Sequence, residues 1–152
     1  MPSREPRAGT RDEIIEPSER ELRAATALVT AGALVAIADK QADTTERKET
    51  VRYIDDRQLV PTIAGLDVAR LFDERVLRLE QPDFVNVAIE ALRPASELSL
   101  GPDIIELAER VAAADRHMHS SEWQAIRLIT LITMSLPQPK AMVPSPGSTG
   151  AR

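Results

Sequence analysis

Cysteine is absent from the 152-residue chain, which excludes a thiol nucleophile, a Cys-ligated zinc, an iron–sulfur cluster and a disulfide scaffold. Aromatic side chains are scarce as well. Trp123, Tyr53, Phe72 and Phe84 are the full set, too few for a base-stacking platform. Nor is there an excess of positive charge: 19 Lys plus Arg stand against 24 Asp plus Glu, a formal charge of −5. With acids outnumbering bases no face neutralises a run of phosphates, so no nucleic-acid partner is expected. A Gly-rich phosphate loop, a G-x-S-x-G elbow and an H-E-x-x-H helix are all missing, and the chain is read as no enzyme. A metal-dependent hydrolase would also need a base and a convergent polar pocket that the pattern does not supply.

Long apolar runs are missing too. The longest stretch without a charge, Ala24 to Ala38, contains Thr26, Thr30 and Gly32, and at about 15 residues it is shorter than the roughly 20 a membrane span needs. It reads as a buried core helix. The first seventeen residues carry Arg4, Arg7 and Arg11 with no apolar segment behind them, which is not the pattern of a secretory signal. A cytoplasmic location without membrane insertion is expected.

What the chain does have is 43% hydrophobic residues, enough for one globular core. Residues 1–17 and 136–152 are Pro-rich segments without a periodic apolar face and read as disordered tails, leaving a folded domain over 18–135. Within it the punctuation is that of an all-α protein. Ser18 with Glu21 forms a capping box opening a long Ala/Leu/Val helix that ends near Asp39. A second helix starts between Asp43 and Glu46, fades by Arg57, and buries Val51, Ile54 and Tyr53. Val68, Leu71, Phe72, Val76 and Leu79 mark a third, from about Thr62 to Glu80.

Pro82 suits the first turn of a fourth helix with Phe84, Val85, Ala88, Ile89 and Leu92 as its stripe, stopped by Pro94. Pro102 opens a fifth, with Ile104, Ile105, Leu107, Ala108, Val111 and Ala112, ending near Asp115. The sixth runs from Ser120 through Trp123, Ile126, Ile129 and Ile132. No stretch shows sustained period-two alternation, so no sheet is predicted. The expected architecture is a compact bundle of six to seven helices.

One pattern occurs twice. Ala36-Ile37-Ala38-Asp39, then Asp43 and Glu46, is matched by Ala112-Ala113-Ala114-Asp115, then His119 and Glu122, each displaced by the same 76 residues, which suggests a pseudo-twofold repeat of a helix–turn–helix unit. Asp39 and Asp115 stand at helix C-termini, where the macrodipole disfavours a carboxylate. Asp43 and Glu46 share the first turn of the following helix, so the turn gathers carboxylates whose mutual repulsion a divalent cation relieves. At the second corner His119, with His117 nearby, adds imidazole nitrogen, favouring Mn, Zn or Ni over Ca there and weakening the site below about pH 6.5. The alternative is that Asp43 and Ser120 are helix caps, with Asp39 bonding within its own turn and both histidines exposed. Neither corner is an EF-hand, because the twelve-residue loop with its central Gly is absent.

The segments ALVAIADKQADTTERKE and LAERVAAADRHMHSSEWQAI, in this order and helical context, resemble the two signature segments of the TerB-like family, the tellurite-resistance protein TerB and its relatives, including the N-terminal helical domain of the DjlA co-chaperone. The resemblance implies an all-α bundle of about seven helices with internal pseudo-symmetry. It also implies acidic metal ligands, which here are Asp39, Asp43, Glu46, Asp115 and Glu122, with His119 where relatives often carry Asp, Ser or another small polar residue. Lys40 and Gln41 depart from the Gly and acid that family members commonly carry after the first Asp. The implied role is in tellurite-resistance and related stress operons, alongside membrane-bound protein partners. The expectations are a divalent metal (Ca, Mn or Zn) as cofactor, protein partners within a membrane-bound stress complex, and a homodimer as an open possibility. A metal-free interaction module similar to the DjlA domain is the alternative.

Overall fold

The structure, a computed structural model, describes residues 18–38, 44–114 and 120–135. Among the described residues six α-helices follow one another: α1 (Glu19–Ala38), α2 (Thr44–Asp56), α3 (Gly65–Leu79), α4 (Phe84–Leu92), α5 (Gly101–Ala113) and α6 (Ser120–Ser135), with a 3-10 turn at Arg93–Ala95 between α4 and α5. There is no strand among the described residues. The all-α architecture is therefore as the apolar periodicities predict.

The α1 helix is the axis of the molecule. It packs against every other helix, and all residues from Ala27 to Ala36 are buried. A helix that is apolar all round must be enclosed on every side. At 20 residues with a mean hydropathy of 1.5 over its best window, α1 is also the one described helix long and apolar enough to cross a membrane. The uncharged run of about 15 residues undercounts it, because the helix begins in the charged segment at Glu19. In this fold its apolar surface is satisfied by the surrounding helices. Leu28, Val29, Leu34 and Val35 lie within the same core as Phe72, Leu92, Leu107 and Ile129, each such burial contributing about 1.5–3 kcal/mol.

The start of α1 is capped as expected in one direction: the Glu21 amide donates to Ser18 Oγ at 3.1 Å. The Glu21 carboxylate goes elsewhere. Its two oxygens accept from the Thr62 amide at 3.0 Å and from the Thr62 hydroxyl at 2.5 Å, which hold the carboxyl below its ordinary range, while the Ser18 amide contributes least. This capture of Thr62 explains a difference downstream. Thr62 lies in the preceding turn and α3 begins at Gly65, after an extended Ala64.

Two helical segments end without glycine. Gln58 (φ 54°) and Ser99 (φ 58°) adopt the left-handed conformation, and in each the flanking bonds are those of a Schellman motif, Leu59 N–H to Ile54 C=O at 3.1 Å and Leu100 N–H to Ala95 C=O at 2.8 Å.

Some facing residues differ from the sequence expectation. In α4 the buried residues are Val87, Ala88, Ala91 and Leu92, whereas Phe84 and Val85 are 37% and 41% exposed and Ile89 is half-buried. Pro82 precedes the helix and its N-cap Asp83, and Pro94 falls inside the 3-10 turn. In α6 Ile126, Ile129 and Ile132 are buried as predicted, but Trp123 is 53% exposed. Val51, Leu71, Val76 and Ile105 are half-buried, while Tyr53 is fully in the core.

Candidate functional site

The two helix starts that follow the repeated pattern are alike. Thr44, Thr45 and Glu46 open α2, and Ser120, Ser121 and Glu122 open α6. In both, the third residue is a glutamate with no solvent exposure at all. Carboxylates are almost never fully buried unless paired, since leaving water costs several kcal/mol per ion even after relaxation. The first turn of a helix is where that cost is most readily offset, by free backbone N–H groups and the positive end of the macrodipole. Neither glutamate is without a partner.

Other positions related by the same offset are buried in parallel. Leu28 and Ile104, Val35 and Val111, Ala36 and Ala112, and Tyr53 and Ile129 occupy positions in the same register as the two glutamates, and every one is buried. Small residues let α1 and α2 come together beneath Glu46. A Cβ built on Gly32 would overlap the Thr50 hydroxyl and lie 3.2 Å from Thr50 Cβ, and the buried Thr50 Oγ1 donates to the Glu46 carbonyl at 2.9 Å. Of the alanines in the repeated pattern Ala36 and Ala112 are buried, whereas Ala113 is exposed and Ala38 and Ala114 are half-buried.

The remaining candidate ligands, Asp39, Asp43, Asp115 and His119, together with Lys40, Gln41 and His117, lie outside the described residues. Among the described residues no group of three or more His, Cys, Asp or Glu side chains is arranged to hold a metal ion. What the structure adds to the two corners is thus the burial of Glu46 and Glu122 at equivalent helix positions.

A polar cluster that the sequence pattern did not single out joins α2 to α5. The buried Tyr53 hydroxyl donates toward Glu106 at 3.1 Å, with Asp103 at 3.4 Å. Arg57 and Arg110 lie 4.7 and 5.6 Å from the ring centroid and bond Glu106 at 3.0 and 3.2 Å. Burial, then the bond to Glu106 and the Asp103 charge, push the phenol well above its ordinary value. The Tyr53 bond, followed by the Arg57 and Arg110 charges, holds Glu106 below the usual carboxylate range. The arrangement is a clamp between helices, and the outer side of Glu106 borders an open cavity of about 670 Å³ lined also by Pro102, Ile105, Glu109 and Thr133.

The family model described as tellurite resistance protein TerB matches residues 25–135. No curated protein and no solved structure matches the chain.

Proposed function

This chain belongs to the TerB family of tellurite resistance proteins, and from that premise we propose that it is a stress-response protein that binds a divalent metal ion at its acidic helix–turn–helix corners and acts through protein partners. The observation that carries the reading is the complete burial of Glu46 and Glu122 at the third positions of α2 and α6. A hard divalent cation is the ligand that turns clustered, desolvated carboxylates from a cost into a gain. Asp39, Asp43 and Glu46 would hold it at the first corner. At the second, Asp115, His119 and Glu122 would do so, with the imidazole favouring Mn or Zn over Ca. The two corners would be halves of one internal repeat. The protein is proposed to work in the cytoplasm without chemistry of its own, alongside a membrane-bound stress complex, neither inserting in the membrane nor binding nucleic acid.

The test is a thermal melt of metal-stripped protein against Ca, Mg, Mn and Zn, with Trp123 fluorescence followed in parallel because Trp123 adjoins Glu122. A metal at 100 times its dissociation constant stabilises the fold by about 2.7 kcal/mol, and the shift should vanish in Asp39→Asn or Asp115→Asn, identifying the corner. No shift with any of the four metals would sink the reading. It would favour the second one, a metal-free interaction module resembling the DjlA domain, in which helix-start amides alone stabilise the two glutamates.

A further inference from the structure

Among the described residues the outward face of α6 is left uncovered. Between Ser120 and Ser135 the only ionisable residues are Glu122, which is buried, and Arg127, which is exposed. Trp123, Arg127, Leu131 and Met134 recur at four-, four- and three-residue steps and so form one ridge; the three apolar members are 53%, 57% and 71% exposed. Beside this ridge runs a groove of about 650 Å³ between α1, the α3–α4 turn and α6, floored by Leu34, Ile37, Leu79, Phe84, Ala125 and Leu128. Glu80, exposed at the end of α3, is the one charged residue lining it among the described residues. Neither Arg127 nor Glu80 forms an ion pair among the described residues.

We infer that this face binds a second copy of the same chain. A surface bearing both an apolar ridge and, next to it, an apolar groove is complementary to itself, which is what a twofold interface requires. The α6 ridge of one protomer lies in the groove of the other, between its α6 and its α3–α4 turn, and the reverse contact is made at the same time. The charges agree with this occupant: Arg127 of the ridge meets Glu80 of the groove, giving two Arg127–Glu80 pairs per dimer. Trp123 and Met134 supply the aromatic and methionine anchors in which interface cores are enriched. The contact is about three helical turns long, at the small end of specific interfaces. The inference does not depend on metal binding.

Sedimentation equilibrium of the full chain in the presence of a chelator tests it. The wild type should be a monomer–dimer mixture whose Trp123 emission shifts to shorter wavelength as concentration rises. Leu131→Glu should weaken the dimer at least ~tenfold, since it puts a carboxylate in place of an apolar contact and draws Arg127, one turn away, from Glu80, with helical circular dichroism unchanged because Leu131 is a surface residue. Arg127→Glu and Glu80→Arg should each weaken it, and the two substitutions combined in one chain should restore it. A wild type that stays monomeric at several hundred micromolar overturns the inference. So does a dimer that Leu131→Glu leaves intact, or one in which the double charge exchange is no better than either single change.

Discussion

At the scale of single residues, Gly32 is the described glycine with the least room for a side chain. Alanine is the better helix former by about 1 kcal/mol, yet the added methyl would drive into Thr50, whose β-branched side chain offers no way out, because Cγ2 and Cβ stand 3.0 and 3.2 Å from the same point. Overpacking of this kind costs about 1–3 kcal/mol. Gly32→Ala is therefore expected to lose about 1 kcal/mol net by denaturant unfolding. The Gly32→Ala, Thr50→Ala double variant should be more stable than Thr50→Ala alone, since the obstructing hydroxyl and methyl are gone. If Gly32→Ala stabilises the protein, α1 and α2 are not in the contact described.

The reading of individual residues shows where sequence information stops. Glu46 and Glu122 stand out in the sequence by their equal places in the repeated pattern, but their burial does not, because an acid in a first helical turn is ordinarily a solvated cap partner. Gln58 and Ser99 end their segments in a conformation usually left to glycine. Composition therefore carries no stop signal at either place.

At the scale of elements, polar ties set how the helices sit. Arg47 reaches from α2 to Asp73 of α3 with two bonds of 2.9 Å, Arg23 of α1 reaches Glu97 at 2.9 Å, and Tyr53 clamps α2 to α5. The first two are exposed and each adds little. The Tyr53 bond is partly sheltered and ends on a carboxylate, so Tyr53→Phe should cost about 1 kcal/mol while leaving both guanidinium contacts with the ring. The Glu106 carboxyl should then move up toward its ordinary value in a side-chain NMR titration. An unchanged Glu106 titration would show that Arg57 and Arg110 alone set it.

Element boundaries follow the same logic. The periodic stripes of α3, α5 and α6 were legible because their apolar residues recur every three or four positions. In α4, by contrast, nearly every position is apolar, so periodicity could not choose a face. Packing on α1 and the 3-10 turn turned Val87 and Ala91 inward and left Phe84 and Val85 at the surface.

At the scale of the whole molecule, the shifted groups predict how stability depends on pH. Glu21 and Glu106 are held below their ordinary value of 4.5, so the stability they contribute is present above about pH 4.5 and is lost as pH falls through their folded values. Tyr53 is raised above its ordinary value of 10; its contribution is present below pH 10 and lost as pH rises further. Melting temperature should therefore decline on both sides. Because Tyr53 is the only tyrosine, phenolate absorbance reports it alone, and it should appear together with unfolding rather than before it. Ionisation near pH 10 in a folded protein would contradict the clamp.

By itself the sequence determined the helical class, the order and rough extent of six helices, the core role of α1 and the family, because these depend on local periodicity, caps and short motifs that each segment carries whatever surrounds it. Only the tertiary structure decided which face of α4 turns inward, that Trp123 stays at the surface of α6, that Thr62 bonds Glu21 instead of opening α3, that Tyr53 meets Glu106, and that Glu46 and Glu122 are withdrawn from water. Those outcomes depend on contacts between residues as much as 53 positions apart. Such contacts are chosen by how all the apolar surfaces can be covered at once, which no single segment encodes.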